Sequence, residues 1–135
     1  MPKISNGQIA ELSKTYSEED IIAFANASGD HNPVHLDEQY AASTSFGRRI
    51  AHGMLVAGLI SAVLGTTLPG PGTIYLGQNM KFKAPVFIDD MITARVEVLS
   101  VREDRPIATL STNCYNQEGK LVIEGEAVVM LPAAG

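Results

Sequence analysis

The sequence predicts an α+β fold in which an antiparallel sheet wraps around a long buried central helix. Three observations predict it. Helical spacing and helix caps occupy the first half of the chain. Ile50 to Leu64 is apolar on nearly every face. After Gly72 the pattern changes to strand alternation, punctuated by polar turns of hairpin length.

The first helix opens at Ser17-Glu18-Glu19-Asp20, where Ser17 is a good N-cap and three acids suit the positive end of the helix dipole. Ile21, Phe24 and Ala25 follow at helical spacing, and Ser28-Gly29 closes the helix. Asp37 caps a second short helix that runs through about Ser43, and Phe46 to Arg49 reads as a loop. A helix over Ile50 to Leu64 that is apolar all round must be buried. Gly65 closes it, and Pro69-Gly70-Pro71-Gly72 forbids continuation. Strands are expected over Thr73 to Lys83, Met91 to Arg102, Ile107 to Tyr115 and Leu121 to Leu131, as a meander. Glu103 to Pro106 and Asn116 to Gly119 form the turns, and Pro85 belongs at an edge, a bulge or a strand end. Such a sheet covers the central helix on one side only. The other side requires more protein, and a second copy of the chain would supply it.

Composition bounds the function. A length of 135 residues favours one domain, 1–135, and 45% hydrophobic residues suffice for a real core. A net charge of −5 without an arginine cluster argues against nucleic acid or an anionic membrane as partner. Cys114 is the only cysteine, so no intramolecular disulfide forms. Residues Met1 to Ser17 contain no signal-like apolar run, and Ile50 to Gly65 is too short and glycine-rich to span a bilayer. A cytoplasmic protein is the expectation. Zinc-ligand spacing, a glycine-rich phosphate loop and a Gly-x-Ser-x-Gly elbow are all missing, so no metal and no cofactor are expected.

The segment that carries chemistry is Gly29-Asp30-His31-Asn32-Pro33-Val34-His35. It sets an acid and an imidazole five residues apart on a stiffened turn. Pro33 fixes its own φ and pushes Asn32 out of the helical region. A two-residue acid/base device needs such a fixed separation. Each residue also has a plainer role. Asp30 can close the first helix as an Asx turn, His35 can be a surface histidine, and Asn32-Pro33 is good turn chemistry. His52 can be catalytic or can cap or pack at the start of the central helix, Cys114 is a small core residue, and Arg48, Arg49, Lys81 and Lys83 are solvated charges. Gly53, Ala57 and Ser61 recur at intervals of four on one helix face, with Leu64 close by. That stripe leaves room for a substrate or simply allows close packing, and Ser61 can bond back to its own helix.

The motif Asp30-x-Asn32-Pro33-x-His35, followed by a buried helix that opens His52-Gly53-Met54, resembles the MaoC-like (R)-specific enoyl-CoA hydratases. The resemblance runs over Tyr16 to Asp37, Arg49 to Gly65 and Ile74 to Leu131. The length matches small bacterial members that feed polyhydroxyalkanoate synthesis. The chain departs from the family pattern at Asp89-Asp90, where many members have Gly-Asp, and His31 adds a second imidazole near the motif. The resemblance implies a hot-dog fold, a homodimer and an acyl-CoA substrate. It further implies that Asp30 and His35 hold one water, Asp30 as main base and His35 as water-holder and proton donor. The amide of Gly53, at the positive end of the central helix, would hold the thioester oxygen, with Ser61 as a supporting polar group. Asn32, Ala57 and Leu64 are assigned to the substrate's surroundings. Rival readings are a dehydratase acting on acyl carrier protein, a hot-dog thioesterase and a non-catalytic acyl-thioester-binding module. A thioesterase would need an acid on the central helix, and residues 54–64 carry none.

Overall fold

A computed structural model describes residues 4–133. The chain runs β1 (Ile9–Thr15), α1 (Glu18–Ser28), α2 (Pro33–Leu36), α3 (Glu38–Ala42), α4 (Gly53–Thr66), β2 (Ile74–Phe82), β3 (Met91–Val101), β4 (Ile107–Tyr115) and β5 (Leu121–Met130). The five strands form one antiparallel sheet in the order β1-β3-β4-β5-β2. The sheet curves around α4, which packs on β1 to β4, and this is the hot-dog arrangement expected from the sequence.

Local chemistry explains most boundaries. Ser17 and Asp20 form a reciprocal capping box at the start of α1, and Gly29 ends it in the left-handed region at φ 85°. Asp37 caps α3 by accepting from the amides of Gln39 and Tyr40. Burial alternates strictly along β4, where Ala108, Leu110, Thr112 and Cys114 face inward. These side chains, with Ile92, Ala94, Val96 and Val98 of β3, enclose Val56, Leu59, Ile60, Val63 and Leu64 of α4. Each Val, Leu or Ile among them contributes about 1.5–3 kcal/mol by leaving water.

Four expectations are corrected. β1 lies where no strand was expected. Its burial is slight, so it has little apolar pattern, and pairing with Met91–Glu97 of β3 holds it instead. The meander holds only for β3 to β5. β2 crosses to the far edge beside β5, and Pro85 sits in the crossing loop just past the end of β2. The central helix starts at Gly53, because Ile50 and Ala51 are pinned as extended chain by Val34, Val86 and Phe87. It also continues through Gly65 to Thr66.

The helix is not buried all round. Met54, Gly58, Ser61 and Gly65 form an exposed stripe along the helix, with Met54 57% exposed. Among the described residues, no helix is long and apolar enough to cross a membrane.

Candidate functional site

The motif residues do not form a plain turn. Asn32 caps α2 by accepting from the amide of Val34 at 3.2 Å, and Pro33 occupies the first helical turn, where a missing N–H costs nothing. This single turn carries His35 inward until it is 8% exposed. Asp30 stays on the exposed loop before it, with Oδ1 accepting from the amide of Asn32 at 3.1 Å. The Asx-turn reading of Asp30 is therefore correct for one oxygen. The other has no partner among the described residues.

A buried cation fixes α2 against its neighbours. Arg49 is 6% exposed, and its Nε donates to the carbonyl of His35 at 2.8 Å. Its guanidinium meets Glu18 at 2.6 Å and Glu38 at 3.6 Å. Arg49 thus corrects the expectation of a solvated charge, since it ties α1, α2 and α3 together. Arg48 lies over the ring of Phe87 at 3.7 Å. No sequence signal separates these two adjacent arginines. Only the packing does.

The imidazole of His35 is held by one strong bond. Its Nδ1 lies 2.8 Å from the carbonyl of Ile50. A carbonyl only accepts, so Nδ1 carries the proton, and Nε2 of the neutral ring presents a lone pair. Burial pulls the His35 pKa below its ordinary 6.5, and the nearby His52 adds to the effect, while the Ile50 bond and Asp30 oppose it. The neutral ring is thereby favoured near pH 7.

The second imidazole at this place is His52, not His31. His31 is exposed and bonds locally to Gly29 and Asn26. His52 is 1% exposed, and its ring lies 3.9 Å from that of His35. One ligand atom each from Asp30, His35 and His52 lie within 4.8 Å of one another. Two hydrogen bonds meeting at one water span roughly 4–5 Å, so a single water fits between such groups.

Asp30, His35, His52 and Gly53 line one cleft of about 480 Å3, whose walls include Phe46, Phe82 and Val86. This is the size and mixed polarity of a small-molecule site. Lys83 is the cation in its lining. Gly53 is the first residue of α4, so its amide has no acceptor within the helix. A Cβ at Gly53 would come within 2.5 Å of the Phe82 ring, which shows how closely the wall approaches.

The remaining candidates lie elsewhere. Ala57 and Ser61 line a second groove of about 340 Å3 between α4 and β2, together with Tyr75 and Gln78. Leu64 is 2% exposed and belongs to the core. Asn32 is an exposed cap outside the cleft lining. The four-residue stripe fails to hold one face because each step of four advances about 40°, leaving Ser61 about 80° from Gly53. Cys114 is buried, and burial pushes its thiol up to about 12, as suits a core residue and not a nucleophile.

Comparison with known proteins agrees with this architecture. The profile of the family described as MaoC like domain matches residues 2–116. The chain is 56% identical over 126 residues to the (R)-specific enoyl-CoA hydratase of Aeromonas caviae, covering 93% of this chain and 94% of that one. It is 57% identical over 132 residues to the (R)-specific enoyl-CoA hydratase of Rhodospirillum rubrum, covering 98% and 91%. The solved structure of an (R)-hydratase from A. caviae involved in PHA biosynthesis superposes with a TM-score of 0.94. It is 53% identical and covers 98% of this chain and 100% of that one.

Proposed function

The chain belongs to the MaoC-like domain family, and from that premise we infer that it is a hydro-lyase, an (R)-specific enoyl-CoA hydratase. It adds water reversibly and syn to trans-2-enoyl-CoA, giving (R)-3-hydroxyacyl-CoA. The observation that carries the reading is that Asp30 and His35 bring ligand atoms within 4.8 Å of each other, while one Asp30 oxygen and His35 Nε2 have no partner among the described residues.

The proposed mechanism follows from donors and acceptors. A water between the two groups donates one hydrogen to Asp30 and one to His35, which leaves an oxygen lone pair free to attack Cβ. As the C–O bond forms, Asp30 takes a proton and the alkene electrons move toward the thioester oxygen. The free amide of Gly53 accepts that charge, the kind of donor whose loss costs roughly two to three orders of magnitude in rate. The proton then passes to Cα on the same face. His35 at rest has no proton on Nε2, so it can deliver only one it has first taken from the water. In this reading Asp30 is the main base, and His35 holds the water and acts as proton donor.

The active form is a homodimer. The exposed stripe of α4 and the adjoining groove beside β2 are apolar surfaces that a second copy would cover, bringing Ala57, Ser61 and the edge of β2 into the assembly. Ser61 then supports the substrate, as do Asn32 and Leu64 through the elements they fix. Residues 1–135 act as one domain, in the cytoplasm, and the product suits a polyhydroxyalkanoate-forming or oxidising step. Lys83 at the cleft is placed for a coenzyme A phosphate.

The test is addition of the protein to crotonyl-CoA while following the enoyl-thioester absorbance, with product offered to R- and S-specific 3-hydroxyacyl-CoA dehydrogenases. Fast loss of absorbance with R product alone is expected. Inertness toward short and long enoyl-CoA would transfer the reading to a carrier-protein substrate or a binding role, and release of free thiol would transfer it to a thioesterase.

A further inference from the structure

Resting on the hydratase reading, we propose that His52 is a positioning residue that couples the water-activating pair to the start of α4 through its Nε2–H. The hydrogen bonds around the Asp30 loop carry the argument. The amide of Asp30 donates to Ser28 Oγ at 3.1 Å, Asp30 Oδ1 accepts from Asn32, and the His31 ring reaches Gly29 and Asn26. All of these join residues at most five apart. Among the described residues, the one bond that ties residues 29–32 to a distant element is His52 Nε2 to the carbonyl of Asp30, at 3.0 Å across 22 residues. The bonds of Arg49 and Ile50 to the neighbouring helix hold His35 and Val34, not Asp30.

The other nitrogen shows why an imidazole stands here. Its acceptor is a carbonyl, so Nε2 carries the proton and Nδ1 bears a lone pair. That Nδ1 is buried and has no hydrogen-bond partner among the described residues. An unpaired buried acceptor is unfavourable, and a hydrocarbon ring would fill the same space between Phe24 and His35 without it. What phenylalanine cannot supply is the Nε2–H. His52 also immediately precedes Gly53, and its carbonyl accepts from Leu55 and Val56 as the N-cap of α4. One residue thus sets Asp30, the ring of His35 and the Gly53 amide relative to one another. Displacement by about 1 Å in such a constellation can cost 100-fold in rate.

The experiment has two legs. Histidine side-chain 15N NMR of the whole protein at neutral pH reads the tautomers directly and needs no substrate. The expected result is His52 as the Nε2–H form. An Nδ1–H or doubly protonated His52 would overturn the proposal, whatever the enzyme acts on. In the second leg, His52→Phe is expected to lower kcat about 100-fold with KM and melting temperature near wild type, and His52→Gln, whose amide reaches the same carbonyl, to recover at least tenfold of that loss. Wild-type kcat in His52→Phe, or equal losses in both variants, would sink the proposal. A wild-type protein inert toward enoyl-CoA would instead remove the hydratase reading, while the tautomer result still decides the bond.

Discussion

The two grooves that border α4 differ in how completely one chain builds them. In the cleft at its N-terminus, three polar side chains are anchored by a backbone partner: His35 by Ile50, His52 by Asp30, and Asp30 by Asn32. In the groove along its side, Ser61 and Gly58 lie open, and Met54 is more than half exposed. The polar groups of the first are thus held in place within one chain, while the second lies open along α4.

Variants can break this contrast. The largest effect is expected at the cleft. Asp30→Asn removes the carboxylate base, and His35→Gln removes the ring nitrogen that accepts from water. Each should lower kcat for crotonyl-CoA by about 10²–10⁴-fold, with an unchanged melting temperature for Asp30→Asn because Asp30 is exposed. Ordinary turnover in either variant would return both residues to turn and surface roles.

Next in size is the groove. Gly58→Glu adds a side chain where nothing lies within 4 Å of the new Cβ, so the isolated chain should fold normally. In a dimer the charge would be buried without a partner, costing about 3–5 kcal/mol, a shift of over 100-fold in the association constant. Sedimentation should therefore show monomers where wild type is dimeric. A variant that stays dimeric would move the interface off this face.

A pH profile sharpens the cleft side further. Because burial holds the His35 pKa below 6.5, kcat/KM should stay level down to that region and then fall about tenfold per pH unit as Nε2 protonates. The same ring binds fewer protons folded than unfolded. Its neutral burial therefore favours the native state above pH 6.5, and stability is lost as pH falls from there through the depressed pKa. An acid limb above 6.5 would assign the profile to another group.

The smallest effect is expected at a residue that lines neither groove. Asp89 adopts φ 70°, the left-handed region that glycine enters without strain. Asp89→Gly relieves that strain but frees the unfolded chain, so the melting free energy should move by less than about 1 kcal/mol, with activity unchanged. A large loss of activity would show that Asp89 does more than turn the chain.

Much of the architecture was legible in residues alone. Ser17, Gly29 and Asp37 bound their helices through short-range bonds that need no tertiary context. β3 to β5 declare themselves by alternation, because each faces the core on one side. The Asp30/His35 spacing was legible for the same reason, since Pro33 and Asn32 shape the intervening turn locally. Other features were set only by the fold. β1 is an exposed edge whose pairing partner lies some 80 residues away. Arg49 and Arg48 are adjacent in sequence, yet one is buried between carboxylates and the other lies on an aromatic ring. Ser61 left the cleft through the accumulated rotation of α4. His52, ambiguous as a lone histidine, acquired its place when residues 22 apart met at the loop. Local chemistry specifies caps, turns and faces because its partners lie within a few bonds. Which distant groups share one cavity is decided by packing, where no short stretch of sequence carries the information.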